Sequence, residues 1–373
     1  MSTAVGNTLP QPGQQIVVGM SGGVDSSVTA HLLKQHGCRV TGLFMVNWTE
    51  DEAGYCSAAE DFQDARRVAE HLDIPLIRVD FAADYRARVF QQFLDDYQAG
   101  KTPNPDVLCN REVKFQPFRE YALRLGADGI ATGHYARIEH RDDGPHLMRS
   151  VTEDKDQTYF LSAVRREQLE KVFFPLGGYD KPAVRAMARD IGLDVHRKKD
   201  STGICFIGER AFRAFLGQYL KDAPGDIVDE GGQVIGQHPG LHHFTLGQRK
   251  GLHIGGRRGA AEAPWYVVAK DAPRRRLMAS QDPNHPLIMH RRLATAPFHW
   301  INRPARLDRP LLARIRHRQG LQTCHIESVA DDGSLIVDFD NAQRAAAPGQ
   351  YLALYDGMAC LGSGELRDPP PPA

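Results

Sequence analysis

No stretch of this 373-residue sequence approaches the roughly 18 uninterrupted apolar residues of a spanning helix, although 42% of the residues are hydrophobic. A membrane protein is therefore excluded at this level. Residues Met1 to Gln15 contain no Lys or Arg and no apolar core, so the secretory pattern is missing and a cytoplasmic protein is expected. Cysteine is scarce: Cys38, Cys56, Cys109, Cys205, Cys324 and Cys360 are too few for a disulfide scaffold. Without a CxxC or a His-rich spacing, no tightly bound metal and no iron–sulfur cluster is expected. Net charge is missing too, with 46 Lys+Arg against 46 Asp+Glu. That balance, beside so much apolar content, excludes global disorder. Internal repeats are absent.

What is present is a regular alternation. Ile16–Met20, Arg39–Met45, Pro75–Val79 and Gly129–Thr132 read as strands. Between them apolar residues fall at helical spacing: Val28 to Gln35, then Phe62, Ala65, Ala69 and Leu72, then Val89, Phe90, Phe93, Leu94 and Tyr97, then Phe115, Phe118, Tyr121, Ala122 and Leu125. Alternation of this kind predicts an α/β fold with a doubly wound parallel sheet, whose ligands sit at the carboxyl ends of the strands. The loop after Met20 and the turn at Gly133-His134 are thus candidates for one pocket. Beyond residue 205 turn signals take over, with one helix at Arg210–Leu220, a hairpin near Asp229–Val234 and a strand at Trp265–Ala269. Short β-rich runs at Leu311–Ile315, Thr323–Val329, Leu335–Phe339 and Tyr351–Tyr355 predict a C-terminal β-barrel. The expected division is 1–205 for the α/β catalytic domain, 206–288 for a small central α+β domain, and 289–373 for the barrel with a Pro-rich tail.

Zero net charge conceals local excess. Between His285 and Gly320 there are eight arginines (291, 292, 303, 306, 309, 314, 316, 318) against one acid, Asp308. Arg249, Lys250, Arg257 and Arg258 form a second basic stretch, and His196-Arg197-Lys198-Lys199 a third. Three such clusters suggest a polyanion partner; a solvated face is the alternative for each.

Gly19-Met20-Ser21-Gly22-Gly23-Val24-Asp25-Ser26-Ser27 follows a strand and opens a helix. Its glycines let the backbone approach an anion, while amides, helix dipole and hydroxyls hold it. The lysine of a Walker A loop is absent. Asp25, a carboxylate within a phosphate nest, is expected to face a bound Mg²⁺. The loop resembles the PP-loop of the ATP pyrophosphatases, which cleave ATP between the α- and β-phosphates. The resemblance implies adenylation of a substrate oxygen.

Two cysteines lie in distinctive segments, NPDVLCN (104–110) and STGICFIGER (201–210). A free thiol is only a few per cent thiolate at neutral pH. Arg111 beside Cys109, or Lys198 and Lys199 ahead of Cys205, could raise that fraction. With GHYAR (133–137), KDQTYFL (155–161), LGQRKGL (246–252) and PGQ (348–350), the chain resembles the tRNA-specific 2-thiouridylase family over about residues 15–365. The resemblance implies ATP binding by Gly19, Met20, Ser21, Gly22, Gly23, Val24, Asp25, Ser26, Met45 and Gly133. It implies a persulfide on Cys205 delivered by a sulfur relay protein, Cys109 as partner thiol, and Asp106 as acid/base. Asn104 and Pro105 would frame the target base, the wobble uridine of the anticodon loop. His134, Lys155, Asp156, Gln157, Arg316, His317 and Gln350 would touch tRNA. Two other readings remain at this stage: a nitrogen-adding PP-loop ligase for a small metabolite, and an RNA-binding protein with an inactive nucleotide site.

Overall fold

The computed structural model describes residues 7–48, 58–199, 215–254 and 263–370. Cys56, Cys205 and the Arg257-Arg258 pair fall outside these, as does the first part of the helix expected at Arg210–Leu220; 215–219 are helical.

Five parallel strands form the first sheet, in the order Leu76–Asp80, Arg39–Val46, Gln15–Met20, Gly129–Ala131, Val172–Phe173. Its alternating side chains are buried on both faces. Ile16, Val18 and Met20 join one apolar cluster with Val28, Leu33 and Val184. Val17 points the other way, to a second cluster with Phe93, Phe118 and Leu161. A sheet covered on both sides by helices is the doubly wound arrangement. Gln15–Met20 lies between Arg39–Val46, which follows it in sequence, and Gly129–Ala131, far downstream. The chain thus reverses direction across the sheet beside the carboxyl end of this strand, which is where such folds open a ligand crevice.

The helix marked by Val89 to Tyr97 is longer and less regular than its spacing suggests. It runs from Ala82–Tyr85 through a π turn at Arg86–Phe90 into Gln91–Gln98. A second π turn, Asn110–Lys114, directly follows the short helix Pro105–Cys109. Such turns commonly mark places where a helix serves function at the expense of regularity.

The central unit is a four-stranded sheet ordered Tyr266–Asp271, Arg276–Ser280, Gly225–Val228, Val234–His238, around Ile227, Phe244, Val267 and Leu277. Six C-terminal strands form the continuous path Met289–Pro297, Ser334–Arg344, Gln322–Val329, Leu311–Arg314, Tyr351–Asp356 and Ala359–Glu365, in spatial order, and the short His299–Trp300 strand pairs with the last of them. A bridge between Thr295 and Leu366 joins the two ends into a barrel. Alternate residues such as Leu293, Leu311, Val337, Phe339 and Leu352 fill it.

One hairpin crosses the expected partition. Ala136–Arg141 and Gly144–Arg149 pair with each other, and Met148 then pairs with Ala359 of the barrel. Residues 136–149 therefore extend the C-terminal sheet while continuing directly from the turn at the mouth of the first.

Candidate active site

The loop after Met20 is held by its own hydroxyls. Ser26 Oγ accepts from the Ser21 amide at 3.2 Å and donates to the Gly23 carbonyl at 3.1 Å, and Ser27 Oγ donates to the same carbonyl at 2.8 Å. Gly22 has φ +70°, and a Cβ there would meet the Asp61 carbonyl oxygen at 2.2 Å. No side chain caps helix Val24–Gln35 at Gly23. The amides and positive dipole end of its first turn therefore suit an anion. Gly133 closes the other side: a Cβ would lie 2.8 Å from the Asp25 backbone and 2.9 Å from the Ser26 nitrogen. Met45 is half-buried at the end of the adjacent strand, one residue past the register partner of Met20. The structure thus brings Gly19–Ser26, Met45 and Gly133 to one end of the sheet.

Asp25 differs from the Mg²⁺-facing carboxylate expected. The Lys181 ammonium donates to both of its oxygens at 2.8 Å, and the Tyr135 hydroxyl donates to Oδ1 at 2.8 Å. With both oxygens taken by cationic and hydroxyl donors, Asp25 does not fit the role of a metal ligand in this arrangement. Lys181 opens helix Lys181–Asp190, where Asp180 caps the Ala183 amide at 2.7 Å, and its side chain is 10% exposed. Neither Lys181 nor Tyr135 stands out in the sequence, though Tyr135 lies within GHYAR.

Lys198 is also committed. Its ammonium reaches Asp61 at 2.7 Å, Asp64 at 2.5 Å and the Gly22 carbonyl at 3.3 Å. Lys198, read with Lys199 as a charge that could raise the Cys205 thiolate fraction, is already claimed by two carboxylates; Cys205 itself lies outside the described residues. The same bonds hold the chain leading to the 201–210 segment against the phosphate loop.

The Cys109 segment is built locally and pinned from the barrel. Asn104 caps helix Pro105–Cys109 through Oδ1 and the Val107 amide at 3.4 Å, with Pro105 pre-set for the first turn. Asp106 is half-buried in that turn, and Cys109 is buried at the helix end. Gln350, expected at tRNA, instead donates to the Thr102 carbonyl at 2.8 Å and accepts from Asn104 at 3.4 Å. The Tyr159 hydroxyl donates to the carbonyls of Ile315 and Tyr351, both at 3.2 Å. Arg111, beside Cys109, is paired with Glu112 at 2.5 Å.

Several expected RNA contacts lie beneath the surface. Asp156 is buried and holds Arg314 at 3.0 Å and Arg149 at 3.5 Å, with the Thr158 hydroxyl donating at 2.9 Å. Its assignment to tRNA contact is corrected: a side chain enclosed by these donors has no face for RNA. Arg314 is buried with it, so it drops out of the basic stretch that could meet a polyanion. Gln157 bonds to Tyr135 through both backbone and side chain, each at 3.0 Å. His134 is half-buried between Phe115 and Phe174, with Nδ1 2.7 Å from the Thr132 hydroxyl. Burial, aided by the Lys114 charge, pushes its imidazole well below the usual range. It is neutral at physiological pH.

The eight-arginine stretch is less basic than its sequence count. Arg291 pairs with Asp338, Arg292 with Glu327, Arg306 with Asp308 and Arg309 with Asp356. Three of those acids come from strands far away in sequence. Among the described residues Arg303, Arg316 and Arg318 form no carboxylate pair, and all three are exposed, as are Arg249 and Lys250. The His317 ring packs tilted against Phe160, centroids 4.4 Å apart, and burial beside Arg318 and Arg314 pushes it down to about 4. Lys155 is half-buried near this face.

Comparison with known proteins bears directly on this arrangement. Residues 14–209 match the tRNA methyl transferase HUP domain, 213–281 the tRNA methyl transferase PRC-barrel domain, and 290–366 the aminomethyltransferase beta-barrel domain. The tRNA-specific 2-thiouridylase MnmA of Pseudomonas paraeruginosa is 51% identical over 357 residues, covering 95% of this chain and 94% of the relative. Those of Dichelobacter nodosus and Alcanivorax borkumensis are each 52% identical over 357 residues, covering 95% of this chain and 94% and 97% of theirs. No helix among the described residues is long and apolar enough to cross a membrane. With identity this high along nearly the whole length, the chain belongs to the tRNA-specific 2-thiouridylase family.

Proposed function

We propose that this chain is a tRNA 2-thiouridylase, an ATP-dependent sulfurtransferase that acts on the wobble uridine of an anticodon loop in the cytoplasm. The observation that carries the reading is the uncapped helix at Gly23, faced by Gly133, with the Cys109 segment pinned to the barrel by Gln350. ATP would enter as its Mg²⁺ complex, the cation offsetting charge on the phosphates. The loop amides and the Ser21 and Ser26 hydroxyls take the phosphates. The Lys181–Asp25–Tyr135 cluster fixes the loop's first helical turn.

The C2 oxygen of uridine attacks the α-phosphorus, and pyrophosphate leaves. A persulfide on Cys205, delivered by a sulfur relay protein, then provides sulfur to C2. Either its terminal sulfur attacks directly, with Cys109 then cleaving the sulfur–sulfur bond, or Cys109 cleaves it first and releases hydrosulfide. Both routes expel AMP and end with a Cys109–Cys205 disulfide, which a reductant must reopen. Asp106 exchanges protons with the base, framed by Asn104 and Pro105. The base must leave its stack to be reached, which an anticodon loop makes inexpensive. Because Cys109 is buried, tRNA binding opens the 104–110 segment as it completes the site. Arg316, Arg318, Arg249 and Lys250 track phosphates, and His134, Lys155, Gln157 and His317 line the approach.

The test is mass spectrometry of wobble-uridine nucleosides in a strain lacking the protein. Selective loss of 2-thio derivatives, restored by the wild-type gene and not by Cys109→Ser, is expected. Unchanged 2-thiouridine would end this reading.

A further inference from the structure

His242 and His243 occupy the short turn Leu241–His243, just after strand Val234–His238 of the central sheet. Their rings lie 4.0 Å apart, inclined at 47°. Both Nε2 atoms face the same oxygen, Oδ1 of Asp222, at 2.8 Å from His243 and 3.3 Å from His242. The imidazoles are 7% and 10% exposed, whereas Asp222 is 52% exposed. His243 makes a hydrogen bond to the carboxylate. His242 Nε2 is buried without a hydrogen-bond partner, although it points at the same oxygen. A buried ring nitrogen of that kind calls for an explanation, such as an ion.

We propose that Asp222, His242 and His243 form a binding site for a divalent transition-metal cation of the zinc type. The three donor atoms lie within 4.8 Å of one another. A tetrahedral zinc ion with bonds of about 2.0–2.1 Å separates its ligand atoms by about 3.3 Å, the separation of His242 Nε2 from Asp222 Oδ1, while His243 would move outward from its 2.8 Å hydrogen bond. Two imidazoles and one carboxylate are a donor set that suits zinc and leaves the fourth position to water. The His242 ring is also placed by its surroundings: at Gly240 a Cβ would come within 2.7 Å of its Cε1. Only glycine lets the ring lie there.

The position gives the cation a role. Asp222 lies between the 215–219 helix and strand Gly225–Val228, on the chain that leaves the Cys205-bearing segment. The histidines lie just before Thr245, whose hydroxyl is 3.2 Å from that of Thr102, two residues ahead of Asn104. A cation here clasps the exit of one cysteine segment to the central sheet beside the anchor of the other. It is a structural clasp and does not depend on the sulfur chemistry.

The experiment uses the full chain with Cys109→Ser and Cys205→Ser, which removes two thiols that would compete for metal. Zn²⁺ is titrated against a chromophoric chelator into this parent, and into the same chain carrying Asp222→Asn or His243→Gln. The parent should take up a single equivalent, and either added substitution should weaken it by about tenfold or more. Zn²⁺ should raise the parent's melting temperature and leave that of Asp222→Asn unchanged. Asp222 is exposed enough that this variant keeps its fold, as circular dichroism without metal would verify. Equal affinity in parent and Asp222→Asn, or no equivalent bound by the parent, overturns the proposal and leaves the histidines a hydrogen-bonded cluster only.

Discussion

Lys181 and Asp25, 156 residues apart in sequence, meet in a bidentate contact of 2.8 Å to each carboxylate oxygen at the opening of the phosphate loop. Under the proposed function, a lysine so placed acts on adenylation by holding the phosphate loop rather than on RNA binding. Lys181→Met should lower ATP–pyrophosphate exchange about 10- to 150-fold, the equivalent of losing a charge-assisted bond of roughly 1.5–3 kcal/mol. Affinity for tRNA should change little. Wild-type exchange rates in the variant would reduce the pair to a scaffold contact.

Arg314 and Arg316 are neighbours with opposite fates, one enclosed with Asp156 and one exposed. Arg314→Ala leaves a buried carboxylate with less compensation and should destabilise the fold by about 3–5 kcal/mol in urea unfolding. Arg316→Ala should leave stability within about 0.5 kcal/mol. It should instead reduce the slope of log affinity against log salt by about 0.7–0.9, in every substrate tRNA alike. A large stability loss at Arg316 and none at Arg314 would reverse this assignment.

Burial silences two of the thiols. Cys324 and Cys360 are pushed up to about 12 by burial, so at pH 8 thiolate is on the order of one part in ten thousand. Alkylation of the native protein at that pH should spare both, and their Ala variants should still thiolate tRNA. Cys109→Ser and Cys205→Ser should each abolish product. Peptide mapping after one turnover without reductant should find these two in one disulfide.

His317 sets a pH dependence. Burial, then the charges of Arg318 and Arg314, with Lys155 adding and Asp156 opposing, lower it from 6.5 to about 4. The unfolded chain therefore binds a proton more readily between those values. This contribution to stability is complete above pH 6.5 and is lost progressively as pH falls towards 4. His317→Gln should flatten that part of the stability profile, as thermal melts across pH 4–7 would show.

Much of the fold is legible because the alternating apolar pattern is local: every strand of the first sheet up to Gly129–Ala131 lies within a residue or two of its expected place. The glycines of the phosphate loop are legible for the same reason, since a tight strand–helix turn needs them in sequence. Lys181 is not, because its meaning arises only when a helix start far downstream swings over Asp25. The arginine stretch misleads in the opposite direction. A window of sequence counts its own charges, while Asp338, Glu327, Asp356 and Asp156 arrive from other elements. Gln350 shows the remaining limit: its motif is evident, but whether it faces RNA or the Thr102 carbonyl depends on packing between distant segments.

The largest apolar cluster draws Tyr351, Ala353, Tyr355 and Cys360 together with Phe115, Tyr159 and Leu161. During synthesis the first half of the chain emerges well before these residues exist, at about 5–20 residues per second. The wall that Tyr351 and Tyr355 complete stays open until the last strands leave the ribosome. Nascent chains stalled before residue 350 should accordingly be protease-sensitive around the 158–161 helix, and a message truncated there should yield a protein for degradation rather than a smaller ATP-binding fragment.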